Sequence, residues 1–167
     1  QVLINRDITS AVEARSFLSP KLTDLIAPEK MPGAGAAVQR IKKALADKEK
    51  IVIYGDYDVD GITSVSILWQ LFTALGGIVD YYIPHRIEEG YGLNNEAITK
   101  LAEEGANLII TVDCGITAND SVALANKSGV DVIITDHHQM TDTLPAAVAI
   151  VHPGMNDYEN PNSAGAM

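Results

Sequence analysis

Three aspartates, Asp56, Asp58 and Asp60, alternate over five residues and run directly into Gly61. Carboxylates at this density repel one another unless a cation sits among them, and oxygen ligands suit a hard divalent ion. Two more clusters carry the same chemistry. Asp113 precedes Cys114-Gly115, and Asp136 is followed at once by His137 and His138. Carboxylates and imidazoles without a cysteine pair suit Mn²⁺, Mg²⁺ or Zn²⁺ better than an iron–sulfur cluster or a structural zinc. A donor set of this size has room for two ions. Two neighbouring ions ordinarily serve in-line attack on a phosphorus ester by activated water.

The clusters must be brought together by the elements that precede them. The run 51–55 is short, β-branched and apolar, which reads as a buried strand. After Gly61 the apolar residues Ile62, Val65, Leu68, Trp69 and Phe72 recur at helical spacing, with Gly76-Gly77 closing the helix near residue 75. The pattern then repeats. Strands are expected at 78–83, 108–112, 130–135 and 148–151, and helices at 94–104, with Asn94 as N-cap, and 117–127. Strands alternating with amphipathic helices imply a parallel five-stranded, Rossmann-like α/β sheet with helices on both faces. Asp56/58/60, Asp113 and Asp136-His137-His138 all follow strands, so the topology gathers them on one sheet edge, in the crevice where open α/β sheets bind ligands. A lone Asp at a strand end is ordinarily the N-cap of the next helix. Three such coincidences on one edge are better explained by a site.

Upstream, helices are expected at 7–19, ended by Ser19-Pro20, and at 34–48, with a polar, proline-containing stretch between them. Residues 1–50 therefore read as a helical lead-in and 51–167 as the α/β domain. Beyond Val151 no element is legible.

Other ligand loops are excluded. Asp56-x-Asp58-x-Asp60-Gly61 also opens an EF-hand, whose twelfth position needs a bidentate Glu. Ile67 stands there, and the upstream segment is a strand rather than a helix. No Gly-x₄-Gly-Lys-Ser/Thr and no Gly-x-Gly-x-x-Gly occurs. The net charge of −10 argues against a nucleic-acid grip by this chain alone. One cysteine permits no internal disulfide and fits a cytoplasmic setting. No run approaches the ~18 apolar residues of a membrane span.

Softer candidates lie nearby. Arg86, after the second strand, has the forked geometry to hold a phosphate, or it pairs with Glu88 or Glu89. Tyr91, between Gly90 and Gly92, reads as turn chemistry. His85 and His152 read as loop residues. Cys114 lacks a dedicated base and is a poor nucleophile. Trp69 and Phe72 share a helical face and are expected in the core.

These motifs resemble the DHH phosphoesterase superfamily, which takes its name from Asp-His-His, here Asp136-His137-His138. Residues 54–61, Tyr-Gly-Asp-Tyr-Asp-Val-Asp-Gly, are similar to its first motif, Asp113-Cys114-Gly115 to its second, and Thr135-Asp136-His137-His138 to its third. Within it, Ile83-Pro84-x-Arg86 with Glu89-Gly-Tyr-Gly-Leu-Asn94, and the lead-in Arg6-Asp-Ile-Thr, resemble the RecJ family of single-strand-specific 5′→3′ DNA exonucleases. The resemblance implies that Asp58, Asp60, Asp113 and His137 bind Mn²⁺ or Mg²⁺, with Asp113 bridging two ions. It implies that His138 faces the scissile phosphate, that Asp56 and Asp136 support the site, and that Arg86 touches substrate. No covalent enzyme intermediate is expected.

The family's fourth motif, an aspartate far downstream, has no counterpart, since only Asp142 and Asp157 follow the third. The resemblance thus implies the N-terminal part of a longer repair and recombination enzyme. By itself this part is expected to be monomeric, to bind metal weakly and to be nearly inactive, with single-stranded DNA and repair proteins as partners of the whole. Two other readings stay open: a DHH phosphoesterase acting on oligonucleotides, cyclic dinucleotides or pyrophosphate, and an inactive replication scaffold of the same fold.

Overall fold

The computed structural model describes residues 1–156 and 158–161, so Asp157 lies outside the described residues. Runs 51–54, 108–112 and 132–134 are apolar but for Thr111 and show no alternation, as in strands covered on both sides. They occupy the centre of a five-stranded sheet built from β1 (Lys50–Tyr54), β2 (Ile78–Tyr82), β3 (Leu108–Val112), β4 (Asp131–Thr135) and β5 (Ala149–Val151). The order is β2-β1-β3-β4-β5, and every neighbouring pair is parallel. The expected fold class is therefore observed.

Among the described residues five α-helices accompany the sheet: α1 (Ala11–Leu18), α2 (Ala34–Ala46), α3 (Val59–Ala74), α4 (Asn95–Glu103) and α5 (Asn119–Lys127). Strand alternation sorts the core into two layers. Ile51, Ile53, Ile110 and Ile133 pack with Ala37 and Ala44 of α2 and Val65 and Phe72 of α3. Val52, Tyr54, Ile109 and Ile134 pack with Ile98 and Leu101 of α4 and Val122 and Ala125 of α5. The chain leaves β1 for β2 on one side and returns to β3 on the other. That reversal makes the β1/β3 boundary a topological switch point, and the crevice beyond its carboxyl ends is open to a ligand.

Helix starts differ from the sequence reading for local reasons. α1 begins at Ala11 because Ser10 forms a capping box with Glu13, accepting the Glu13 N–H at 3.1 Å while the Glu13 carboxylate accepts the Ser10 N–H at 2.9 Å. α3 begins at Val59, three residues early, because Asp58 is its N-cap. α4 follows its expected cap, with the Asn94 side chain accepting from the Ala97 N–H at 2.7 Å.

Trp69 corrects an expectation. Phe72 is buried, but Trp69 keeps 39% exposure on an apolar groove shared with Ile62, Tyr81 and Ile83. α3 lies against β2, the sheet's edge, and no further strand among the described residues extends beyond to cover its outer flank. α1 buries no residue at all. α2 is held more firmly, its Arg40 reaching Glu49 and Asp131 at 2.6 Å each.

Candidate metal centre

The first motif is shaped by one close approach. Beyond β1 the chain turns Asp56 inward until it is 2% exposed. The first turn of α3 then lies against its backbone. A Cβ on Gly61 would stand 2.4 Å from the Asp56 carbonyl oxygen, so the motif must end in glycine. Asp58 caps α3, its Oδ1 accepting from the N–H groups of Asp60 and Gly61 at 2.9 and 3.1 Å. Those N–H groups hold its carboxyl below the ordinary range. Asp56 Oδ1 is buried with no hydrogen-bond partner among the described residues.

The second motif follows β3. Asp113 takes a left-handed conformation, φ 61°, sparsely populated for a residue with a Cβ. Its N–H donates to the Thr135 carbonyl at 3.0 Å, and its Oδ1 lies 3.0 Å from His137 Nε2.

The third motif follows β4, and Asp136 organises it. Its Oδ2 accepts from the Ile116 N–H at 2.9 Å. Its Oδ1 accepts from the N–H groups of His137 and His138 at 2.7 and 3.0 Å, and lies 2.7 Å from His138 Nδ1. A carboxylate accepts only, so Nδ1 carries the proton and Nε2 is the acceptor of His138. With four protein donors already on it, Asp136 braces the loops rather than offering lone pairs to an ion.

The three strand ends converge as expected. Single ligand atoms of Asp56, Asp58 and Asp113 lie within 4.8 Å of one another, and so do those of Asp113, His137 and His138. Asp113 belongs to both groups; Asp60 and Asp136 belong to neither. Burial, followed by the charge of Asp58, raises the Asp113 carboxyl above its ordinary range. Burial likewise raises Asp56, with Asp58 again adding to it. Crowded carboxylates, one with an orphaned buried oxygen, and two imidazoles form a donor set that fits a hard or borderline divalent cation.

The 84–94 loop supplies the remaining neighbours. Arg86 makes no ion pair among the described residues. Its guanidinium lies 5.2 Å from the centre of the Tyr57 ring, above the first motif. Glu89 is engaged instead by the Tyr82 hydroxyl, the His85 N–H and the Asn94 amide. The Tyr82 phenol is pushed up to about 12, by burial first and then by Glu89.

Two residues read as mere loop positions touch the third motif. Tyr91 Oη lies 3.0 Å from the Asp113 carbonyl and 3.2 Å from His138 Nδ1. His152 is buried, and its Nε2–H donates to the His138 carbonyl at 2.8 Å. Its Nδ1 accepts from the Gly154 N–H at 2.9 Å, which fixes that tautomer. No local pattern marks either residue, because each contact joins distant segments. Cys114 is fully buried and burial pushes its thiol well up, so it is no nucleophile. His85 stays exposed, near Glu88. A polar cavity lined by Glu88, Asn94, Thr117 and Asp120 opens beside the loop, but no member of the aspartate–histidine cluster lines it.

Comparison with known proteins follows the same lines. Over 152 residues the chain is 47% identical to the single-stranded-DNA-specific exonuclease RecJ of Bacillus subtilis, covering 91% of this chain and 19% of that protein. The chain thus spans about a fifth of that relative's length. A crystal structure of exonuclease RecJ bound to manganese superposes with TM-score 0.74 at 38% identity, over 80% of this chain and 34% of that one. RecJ from Thermus thermophilus in complex with Mn²⁺ gives 0.73 at 31%, over 93% and 21%. The profile of the DHH family, N-terminal domain, matches residues 50–167. That match covers most of the chain and includes all three converging motifs, so the chain belongs to the DHH family.

Proposed function

We propose that this chain carries the metal-binding edge of a phosphodiesterase site, and that the whole protein digests single-stranded DNA from the 5′ end. The observation that carries this is Asp113, shared by two groups of ligand atoms at a topological switch point. The likeness to RecJ proteins crystallised with Mn²⁺ or Mg²⁺ supports one of these ions as the cofactor, and the oxygen-rich ligation suits both.

Asp58, Asp113 and His137 would hold the ion or ions; Asp60, expected as a ligand from the family resemblance, stands on the first turn of α3 outside both groups of ligand atoms and would have to swing inward to join them. An ion held by these residues would polarise a phosphoryl oxygen and make water a stronger acid. The chain's own groups do the rest. Asp136, paired with Nδ1, fixes the His138 ring, which would face the scissile phosphate. Asp56, buried beneath Asp58, supports the first motif. Arg86, in no ion pair among the described residues, would clamp a substrate phosphate. The division into a helical lead-in over 1–50 and a DHH domain over 51–167 belongs to the same proposal, as do repair-protein partners, a monomeric state for this piece and a cytoplasmic setting. No helix among the described residues is long and apolar enough to cross a membrane.

The test is digestion by the full-length protein of single-stranded DNA labelled at either end, with Mn²⁺, beside Asp113→Ala. Stepwise release from the 5′ end, lost in the variant, is expected. Activity confined to dinucleotides or pyrophosphate would overturn the exonuclease reading. In the same assay Arg86→Ala should raise KM by about 10- to 100-fold, since a hydrogen bond to a charged group contributes about 1.5–3 kcal/mol. Arg86→Lys should recover part of it. An unchanged KM in Arg86→Ala would remove this residue from the substrate path.

A further inference from the structure

We propose that Tyr91 is a positioning residue of this centre: its hydroxyl ties the left-handed Asp113 turn to the His138 ring. The inference rests on reading the cluster as a metal site, and deepens it.

Three loops meet at one oxygen. Tyr91 comes from the loop after β2, Asp113 from the end of β3 and His138 from beyond β4. The Tyr91 hydroxyl donates to the Asp113 carbonyl at 3.0 Å. That carbonyl belongs to the residue at φ 61°, a conformation that persists only where its surroundings hold it. With its proton committed there, the phenol oxygen meets His138 through a lone pair. It lies 3.2 Å from Nδ1, whose proton is already directed at Asp136 Oδ1 at 2.7 Å. The phenol oxygen also lies 3.5 Å from Nε2, so it rests against the ring between its two nitrogens and leaves the Nδ1 proton to Asp136. The rings also meet edge to face, with centroids 5.7 Å apart and planes at 74°. Rotation of the imidazole would break both contacts at once.

Tyr91 is itself held from behind. The Tyr54 hydroxyl donates to the Gly92 carbonyl at 3.1 Å, and the Asn94 amide donates to the Tyr54 hydroxyl at 3.3 Å. Yet Tyr91 is 53% exposed, so its ring adds little to the core. The contacts are concentrated on one polar atom that touches Asp113, a proposed metal ligand, and His138, the proposed phosphate partner. Groups that orient metal ligands typically govern affinity by about 10- to 100-fold.

The experiment compares wild type with Tyr91→Phe, which keeps the ring, and with Tyr81→Phe, an exposed tyrosine of the edge strand, as control. Mn²⁺ binding is followed by electron paramagnetic resonance. The Asp113 carbonyl ¹³C and His138 ring ¹⁵N shifts are measured without metal. Tyr91→Phe should lower the melting temperature by no more than about 4 °C, the cost of one hydrogen bond, weaken Mn²⁺ binding about 10-fold and move both sets of shifts; Tyr81→Phe should leave binding and shifts unchanged. Mn²⁺ binding by Tyr91→Phe within about twofold of wild type would overturn the proposal, as that is far below the effect of an orienting group. Failure of Tyr91→Phe to fold would overturn it too, by making the hydroxyl a structural anchor. If wild type itself shows no saturable Mn²⁺ signal, the metal reading fails separately. The shifts then decide alone whether the hydroxyl orders Asp113 and His138, and unmoved shifts refute it.

Discussion

Asp113→Asn should stabilise the metal-free chain and abolish the stabilisation that Mn²⁺ confers. The Asp113 carboxyl is raised above its ordinary range by burial and then by the charge of Asp58. A folded state that binds a proton more tightly than the unfolded one gains stability at low pH. That gain is fully present below the unfolded carboxyl value of about 3.9 and is lost as pH rises through the raised folded value. At neutral pH the metal-free fold therefore bears the whole cost of a buried charge beside its like. Asparagine removes the charge, keeps the size and tolerates the left-handed conformation at this position. The expected gain is on the order of 1 kcal/mol, the usual size of a single-residue effect. Mn²⁺ at a hundred times its dissociation constant should stabilise wild type by about 2.7 kcal/mol, and the variant hardly at all. At this chain length each kcal/mol moves the midpoint by about 2–4 °C. The melting order should thus invert: variant above wild type in chelator, below it in Mn²⁺. An equal gain from Mn²⁺ in both proteins would show that Asp113 is not a ligand. A variant less stable in chelator would contradict the electrostatic account.

The same directions give the pH dependence of binding. Asp113 must be ionised to hold a cation and Asp56 to add its charge beside it, and both are raised. Mn²⁺ affinity should therefore fall steeply as the medium is acidified toward their folded values, as protons compete for the oxygens. Titrations at several pH values check this, and an affinity flat across the acid range would argue that the cluster is not the site.

What the sequence disclosed was whatever repeats along the chain. Ile51-Val-Ile-Tyr, Leu108-Ile-Ile-Thr-Val and Val132-Ile-Ile are short apolar runs broken only by Thr111, without alternation, as doubly covered parallel strands require. Once those strands are parallel, the carboxylates after them must share an edge. The order of strands along the chain therefore already brings Asp58, Asp113 and His137 to one place. The spacing Asp-x-Asp-x-Asp treats its three members alike, however, and the fold does not. Asp58 caps α3, which begins at the next residue, so Asp60 is carried onto the first helical turn and lies outside both ligand groups. Tyr91 and His152 were illegible for another reason: their partners lie 47 and 14 residues away in the His138 loop. Trp69 misled because helical spacing records which face is apolar, not whether the sheet extends far enough to cover it.

Gly61→Ala should be among the most damaging single-methyl additions this chain can receive. The new Cβ would lie 2.4 Å from the Asp56 carbonyl oxygen, 2.6 Å from its nitrogen and 2.7 Å from its carbonyl carbon. All three are backbone atoms, so no side-chain rotation relieves the overlap, and α3 and the end of β1 must part. Forcing a group into a packed position costs about 1–3 kcal/mol or more, which outweighs the ~1 kcal/mol that alanine gains over glycine inside a helix. Gly35 is the contrast. It lies in α2 and a Cβ there meets nothing within 4 Å. Gly35→Ala should therefore leave stability unchanged or raise it by up to ~1 kcal/mol. The functional consequence of Gly61→Ala should exceed its effect on stability. Asp56 and Asp58 flank the displaced contact, and a shift of catalytic groups by about 1 Å can cost about 100-fold in rate. Urea melts of both variants, with Mn²⁺ titration of each, decide the matter. If Gly61→Ala binds Mn²⁺ like wild type, the close packing of α3 on Asp56 does not set the geometry of the first motif.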